Sequence, residues 1–257
     1  MSYELLILLP ISFITGAINA AVGGGGLIGI PAFYNVLTNF TPAQIMGVDK
    51  FSSVMGHGMS VRQYAKNMAL PWRLMLPTCI TAFAGSYVGV RMLNLMPTHW
   101  MKPVIIVVLA IMLVYTWLKP QFGEQDESRE PTRADLAKGA ALGFALGFYD
   151  GFIGPGTGSF LLFLFVRFFH FDFLRATACA KVVNFGTNGA TLLFLIPAGM
   201  VAYQLAIPLG IAAILGSIVG ARLAMRGGNL WIRRIFLLLA ILLLSKLLWE
   251  TIRPWLG

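Results

Sequence analysis

The chain has 257 residues, of which 58% are hydrophobic and only 11% are charged, and its formal net charge is +9. Soluble domains carry about 25% charged residues, so this composition excludes an ordinary soluble domain and indicates a helical protein that crosses a membrane several times. The positive charge does not indicate nucleic-acid binding, because the sequence offers no basic recognition helix and Lys and Arg are retained in the cytoplasmic loops of membrane proteins.

The chain consists of two copies of one pattern, offset by 131 residues without a gap: Gly16 corresponds to Gly147, Lys50 to Lys181 and Pro77 to Pro208. Duplicated halves are the usual construction of secondary transporters, which bind their substrate at the repeat interface. We assign residues 1–122 to the first membrane repeat and 132–257 to the second. The polar stretch 123–131 is predicted to link them in the cytoplasm.

Each copy begins with an apolar segment that glycines interrupt. In the first copy the interruption is Val22-Gly-Gly-Gly-Gly-Leu27, and in the second it is Ile153-Gly-Pro-Gly-Thr-Gly158. Gly costs about 1 kcal/mol and Pro about 3 kcal/mol relative to Ala in a helix interior, so such clusters should break the helix. Three spanning helices are predicted to follow each broken unit, at 44–62, 73–94 and 102–118, and at 174–196, 204–223 and 233–250.

The loop charges predict that the two copies are inverted. In copy one the positive loop follows the first span and contains Arg62, Lys66 and Arg73. In copy two it follows the second span and contains Arg222, Arg226, Arg233 and Arg234. Positive loops stay in the cytoplasm. Inversion requires an odd number of crossings per copy, so 5–38 and 136–170 are predicted to be re-entrant or hairpin-like, with both termini outside. If Leu5–Val22 spans the membrane instead, the copies become parallel.

The glycine breaks are the first candidate site for an anion. A helix that restarts inside the membrane presents unpaired backbone N–H groups and a positive dipole end. Gly24–Leu27 and Pro155–Ser159 are placed for that role, and the alternative is close helix packing. Close packing is the preferred interpretation for the glycines that recur at i, i+4 in continuous helices, which are Gly85, Gly89, Gly216 and Gly220.

Lys50 and Lys181 are the second candidate, because ionisable residues inside a membrane are costly and usually functional. Either lysine alone is better explained as reaching toward the headgroups from a helix end. Two lysines at one repeat position favour a shared site for a doubly charged or trigonal oxyanion. Ser53 and Asn184 lie close to them in the sequence.

Asp150 and its repeat counterpart Asn19 form the third candidate. Asp150 could relay a proton, pair with a lysine or cap the broken helix, and Asp49 could neutralise Lys50. The histidines have no metal-ligand spacing and no catalytic set is evident, so we expect no metal, no cofactor and no enzymatic activity.

Three stretches resemble a known family: Gly16–Gly26 followed by Ile30-Pro31, Gly147–Phe160, and Ala176–Asn184. They are similar to signatures of the sulfite exporter TauE/SafE family, also called the 4-toluene sulfonate uptake permease family, and especially to its YfcA-like branch. The resemblance implies a permease for sulfite, sulfonates or related sulfur-containing anions, with the glycine loops, Lys50 and Lys181 lining the site. Asn19 departs from the pattern, since many relatives carry an acid there, and Asp49 stands where Asn is familiar.

Taken together, the sequence predicts an all-α, polytopic membrane bundle of two inverted repeats in the inner (cell) membrane. The protein is predicted to transport a small sulfur-containing anion by alternating access. A passive anion channel and a non-transporting membrane subunit are the alternatives. The identity of the anion, the direction, the coupling ion and a homo-oligomeric state stay open. The predicted substrate-binding residues are Gly24, Gly25, Gly26, Lys50, Ser53, Gly156, Thr157, Ser159, Lys181 and Asn184, with Asp150 and Asn19 for proton relay or capping.

Overall fold

The computed structural model describes residues 2–92 and 123–256, together with Ala110, Val114, Thr116 and Leu118 between them. Every regular element in the two continuous ranges is an α-helix, which confirms the all-α prediction for the described chain. The helices are α1 (Ser2–Val22), α2 (Gly26–Val36), α3 (Pro42–Asn67), α4 (Trp72–Arg91), α5 (Arg133–Phe152), α6 (Thr157–Phe169), α7 (Phe173–Leu195) and α8 (Tyr203–Leu256).

Five of the six predicted spans coincide with these helices. Helix α3 contains one predicted span, α4 and α7 each overlap most of one, and α8 contains two, separated by a break at Gly228 where φ is +67°. The predicted span 102–118 lies outside the described residues, apart from the four named above. Two segments, Tyr3–Val22 and Tyr203–Leu242, are long and apolar enough to cross a membrane by length and composition.

The two copies begin their central helices in the same way. The side chain of Thr41 accepts a hydrogen bond from the Gln44 N–H and caps α3, and the side chain of Asp172 accepts one from the Arg175 N–H and caps α7. Asp172 follows Thr41 by 131 residues. An oxygen-bearing side chain at the N-cap satisfies one of the helix's free N–H groups, so the sequence repeat is also a repeat of local structure.

Helices α1 and α2 form a hairpin closed by the glycine turn. The Gly25 N–H donates to Asn19 Oδ1 at 3.0 Å, and further along, a Cβ placed on Gly29 would lie 3.0 Å from Thr15 Cγ2. Helices α5 and α6 fold back in the same way, since the rings of Tyr149 and Phe160 lie 5.3 Å apart. The second arm of each hairpin is too short to cross a bilayer, because helices of 11 and 13 residues extend only about 16 and 20 Å.

The close contacts between helices of different copies occur in matched pairs. A Cβ on Gly85 would collide with the carbonyl oxygen of Phe144, which packs α4 against α5. A Cβ on Gly216 would collide with the carbonyl oxygen of Phe13, which packs α8 against α1. The second glycine of each pair makes the equivalent contact one turn later; these are Gly89 against Phe148 and Gly220 against Ala17. The predicted close-packing role of the four glycines is confirmed.

Helices α3 and α7 lie at the centre and run in opposite directions. Ile45 at the start of α3 shares an apolar cluster with Leu195 at the end of α7, whereas Tyr64 at the end of α3 shares another with Phe173 at the start of α7. Their polar residues therefore meet half-way along both helices, where the two glycine turns also arrive.

Candidate anion site

Each central helix carries a row of polar residues on one face. In α3 the row is Lys50, Ser53 and His57, and in α7 it is Lys181, Asn184 and Asn188. The spacing i, i+3, i+7 places such residues on one side of a helix. Lys50 is 2% exposed and Lys181 is 0% exposed, so both amines lie deep in the bundle.

The two glycine turns meet beside these polar faces. A Cβ on Gly23 would collide with the backbone of Gly158, so the first turn contacts the beginning of α6 directly. Gly23 and its counterpart Gly154 both have φ near +85°, with values of +83° and +89°, which favours glycine over any residue with a side chain. A Cβ on Gly154 would also lie 3.4 Å from Lys50 Nζ, so the bare backbone leaves room for the amine.

A small cavity of about 30 Å³ opens where turns and polar faces converge. It has space for one or two water molecules. A second cavity of about 10 Å³ adjoins it and shares Asn19, Gly26, Asp49, Ser53 and His57 with it. The residues lining the larger cavity are Asn19, Gly23, Gly26, Ile30, Asp49, Lys50, Ser53, His57, Asp150, Gly154, Gly156, Thr157, Gly158, Asn184 and Asn188.

Lys50 is neutralised by a carboxylate from the other copy. Its Nζ lies 2.9 Å from Asp150 Oδ1 and also donates to the Asp150 carbonyl oxygen at 3.1 Å. Both side chains are almost fully buried. Of the roles open to Asp150, the structure thus shows pairing with a lysine, and the partner of Lys50 is Asp150 rather than the adjacent Asp49.

Lys181 has no such partner. Its Nζ is buried and makes no hydrogen bond or ion pair within the described residues. The repeat position of Asp150 is occupied by Asn19, which carries no charge and whose Oδ1 accepts the N–H of Gly25. Capping the turn is therefore the role of Asn19, and the two lysines differ in electrostatic environment although they occupy one repeat position.

Most of the predicted residues converge on the cavity. Those that line it are Gly26, Lys50, Ser53, Gly156, Thr157, Asn184, Asn19 and Asp150. Gly24, Gly25, Ser159 and Lys181 do not line it. Gly25 packs against the Thr15 carbonyl of α1, and the Ser159 hydroxyl donates to the Val22 carbonyl oxygen at 3.4 Å, so these two fasten the hairpins to their surroundings.

Several lining residues were absent from the predicted set, among them His57, Asn188 and Asp49. His57 and Asn188 occupy one repeat position, seven residues after each lysine, and a search for polar residues at that helical spacing would have found them. Asp49 was considered only as a neighbour of Lys50. Within the described part of the chain, no group of three potential metal-ligating side chains occurs.

Comparison with known proteins identifies one family model, "Sulfite exporter TauE/SafE", which matches residues 8–247. A probable membrane transporter protein, ORF9, from a Sinorhizobium species is 33% identical and aligns with 100% of this chain and 98% of its own. A probable membrane transporter protein of Haemophilus influenzae is 30% identical over 96% of this chain and 95% of its own. The probable membrane transporter protein YfcA of Escherichia coli K12 is 28% identical, covering 98% and 93%. No solved structure matches the chain.

Proposed function

We propose that this chain, which belongs to the sulfite exporter TauE/SafE family, is a permease that moves sulfite, a sulfonate or a related small sulfur-containing anion across the cell (inner) membrane. Its relatives carry the name of probable membrane transporters, which supports a membrane location and a transport role rather than an enzymatic one.

One observation carries the proposal: a buried amine without a counter-ion among the described residues lies one helical turn from Asn184, which lines the cavity at the glycine turns. Lys181 is 0% exposed and unpaired among the described residues, and α2 and α6 both begin at the glycine turns. A buried unpaired charge is costly, so the arrangement is complementary to an anion brought in from outside. Helix N-termini add free N–H donors and the positive end of the dipole.

The oxygens of a sulfite or sulfonate group suit these donors. The group carries its charge on a trigonal set of oxygens, which can accept bonds from an ammonium, from backbone N–H groups and from the hydroxyl and amide groups of Thr157 and Asn184. In this proposal Lys181 supplies the main attraction, and Lys50, held by Asp150, mainly keeps α3 attached to the second glycine turn.

Alternating access is supported by the size of the cavity and by the matched contacts between copies. About 30 Å³ is too little for a sulfur atom with three oxygens, so the site must widen before the substrate enters. A passive channel would instead need a continuous path. The glycine contacts of α4 with α5 recur as those of α8 with α1, and α3 opposes α7, which supports two inverted repeats rocking about a pseudo-two-fold axis.

In this topology the hairpins α1–α2 and α5–α6 are re-entrant and the stretch 123–131 lies in the cytoplasm. The basic residues Arg62, Lys66, Arg222 and Arg226 then share the cytoplasmic side, as the positive-inside rule requires. These four residues line one common cavity, which supports their placement at one end of the bundle.

The test is uptake of labelled sulfite, thiosulfate, sulfoacetate and chloride into proteoliposomes that contain the full chain. We expect saturable uptake of a sulfur anion, with at least a tenfold loss for Lys181→Met. Lys181→Arg keeps the charge and serves as the matched variant, for which we expect partial retention. Uptake that rises linearly with concentration would favour the channel, and undiminished uptake in Lys181→Met would refute the role of this lysine.

A further inference from the structure

A larger cavity, of about 480 Å³, lies away from the glycine turns, between the end of α3 and the first part of α8. One wall belongs to the first copy and the other to the second. Four of its residues are cationic: Arg62 and Lys66 from α3, and Arg222 and Arg226 from α8. Its remaining lining residues are Met59, Gln63, Asn67, Ile218 and Met225.

Within the described chain, the cations of this basic cavity are not neutralised. None of the lining residues is acidic, and no ion pair within the described chain involves any of the four. Each helix places its two cations four residues apart, a spacing at which like charges repel and weaken the helix. All four side chains are exposed, so their charges are available to an external anion.

Helix packing does not require this charge, as the repeat shows, and in the proposed topology the positive-inside rule accounts for the sign of the charges but not for their convergence on one cavity. The counterparts of Arg62 and Lys66 are Leu193 and Pro197, and the counterpart of Arg222 is Arg91. Arg91 is already engaged, because its Nη2 donates to the Tyr87 hydroxyl at 2.6 Å and its guanidinium lies over the Tyr87 ring. Cations without a described partner are thus concentrated at the basic cavity and not at the equivalent place in the other copy.

The apolar surroundings indicate the kind of anion. Met59, Ile218 and Met225 form an apolar lining beneath the charges, and Leu215, Val219 and Leu223 continue along α8 as exposed side chains. A soluble anion gains nothing from such a surface. A phospholipid would place its phosphate among the cations and its acyl chains along the apolar residues, and basic pockets between membrane helices suit acidic headgroups.

We infer that this basic cavity binds the headgroup of an anionic phospholipid and that the bound lipid bridges the two copies of the repeat. Because one wall comes from each copy, a lipid in this place stabilises one relative position of the halves. The site does not depend on which anion the permease carries.

The experiment is native mass spectrometry of the detergent-purified full chain with phosphatidylglycerol or phosphatidylcholine of identical acyl chains. We expect retention of phosphatidylglycerol over phosphatidylcholine. Each basic residue near an anionic lipid is worth roughly fivefold in affinity, so Arg222→Gln/Arg226→Gln and Arg62→Gln/Lys66→Gln should each weaken retention at least tenfold. Arg91→Gln removes a charge at the equivalent position and should leave retention unchanged.

Three results would overturn the inference. Equal retention of the two lipids would remove the headgroup specificity, and an equal loss in Arg91→Gln would reduce the effect to general surface charge. Loss in only one of the double variants would refute bridging. Glycerol 3-phosphate is tested as a soluble competitor. Full displacement of the lipid by millimolar glycerol 3-phosphate would assign the site to a free phosphate compound instead.

Discussion

The two lysines occupy one repeat position, but the position that supplies a carboxylate to Lys50 holds an amide in the other copy. Lys50 has Asp150 at 2.9 Å, whereas the repeat counterpart of Asp150 is Asn19. The ion pair fixes Lys50 in place, whereas the Lys181 amine makes no hydrogen bond or ion pair within the described residues. In the proposed function, a duplicated fold thus divides two tasks by a change at a single charged position: one lysine stabilises the structure and the other binds the anion.

The largest effect on stability is expected when the acidic partner of the Lys50–Asp150 ion pair is replaced. Asp150→Asn leaves the Lys50 amine buried without a counter-ion, which should lower the free energy of unfolding by about 3–5 kcal/mol. Thermal or denaturant unfolding in detergent would measure it. The double variant Lys50→Met/Asp150→Leu removes both charges and should recover most of the loss. An Asp150→Asn protein as stable as the wild type would contradict the structural role of the pair.

The helix contacts at Gly85 and Gly216, unlike the surroundings of the two lysines, are alike in the two copies. Gly85→Ala and Gly216→Ala each place a methyl group against a carbonyl oxygen, and overpacking of this kind costs about 1–3 kcal/mol. We expect similar losses of unfolding free energy in the two variants. Gly186→Ala is the control, because nothing lies within 4 Å of a Cβ there. A clear difference between the first two variants would show that the matched packing is superficial.

Asn19→Asp tests whether the missing carboxylate explains the unpaired lysine. The aspartate can still accept the Gly25 N–H, and it places a carboxylate at the repeat position from which Asp150 pairs with Lys50. We expect saturable anion uptake to fall at least tenfold, about 1.4 kcal/mol. Asn19→Ala removes the cap without adding charge, so equal losses of uptake in both variants would refute the electrostatic explanation.

The smallest effect is expected at the helix caps. Thr41→Ala removes the side-chain acceptor at the start of α3 and should cost about 1 kcal/mol. Asp172→Ala should cost more, because Asp172 also accepts a hydrogen bond from Asn229 Nδ2 at 3.2 Å. The two losses can be compared in one series of urea-induced or thermal unfolding curves. Equal losses would indicate that the contact with Asn229 contributes little.

Much of this molecule could be predicted from local properties of the chain. Apolar runs and loop charges located the helices, because helix formation in a membrane depends on continuous stretches of the sequence. The offset of 131 residues located the equivalent positions, and the glycine clusters located the turns at which α2 and α6 begin. The helix that should span 102–118 lies outside the described residues and stays a prediction.

The sequence by itself determined that the chain is a membrane bundle, that it is duplicated, and that each copy carries a glycine turn and a lysine. Only the tertiary structure decided that Lys50 pairs with Asp150 and that Lys181 has no partner among the described residues. It also decided that Gly23 meets Gly158 and that His57 and Asn188 face the same cavity. The physical reason is that a repeat specifies which residues are equivalent, whereas a contact such as Lys50–Asp150 joins positions 100 residues apart and depends on how the two copies pack.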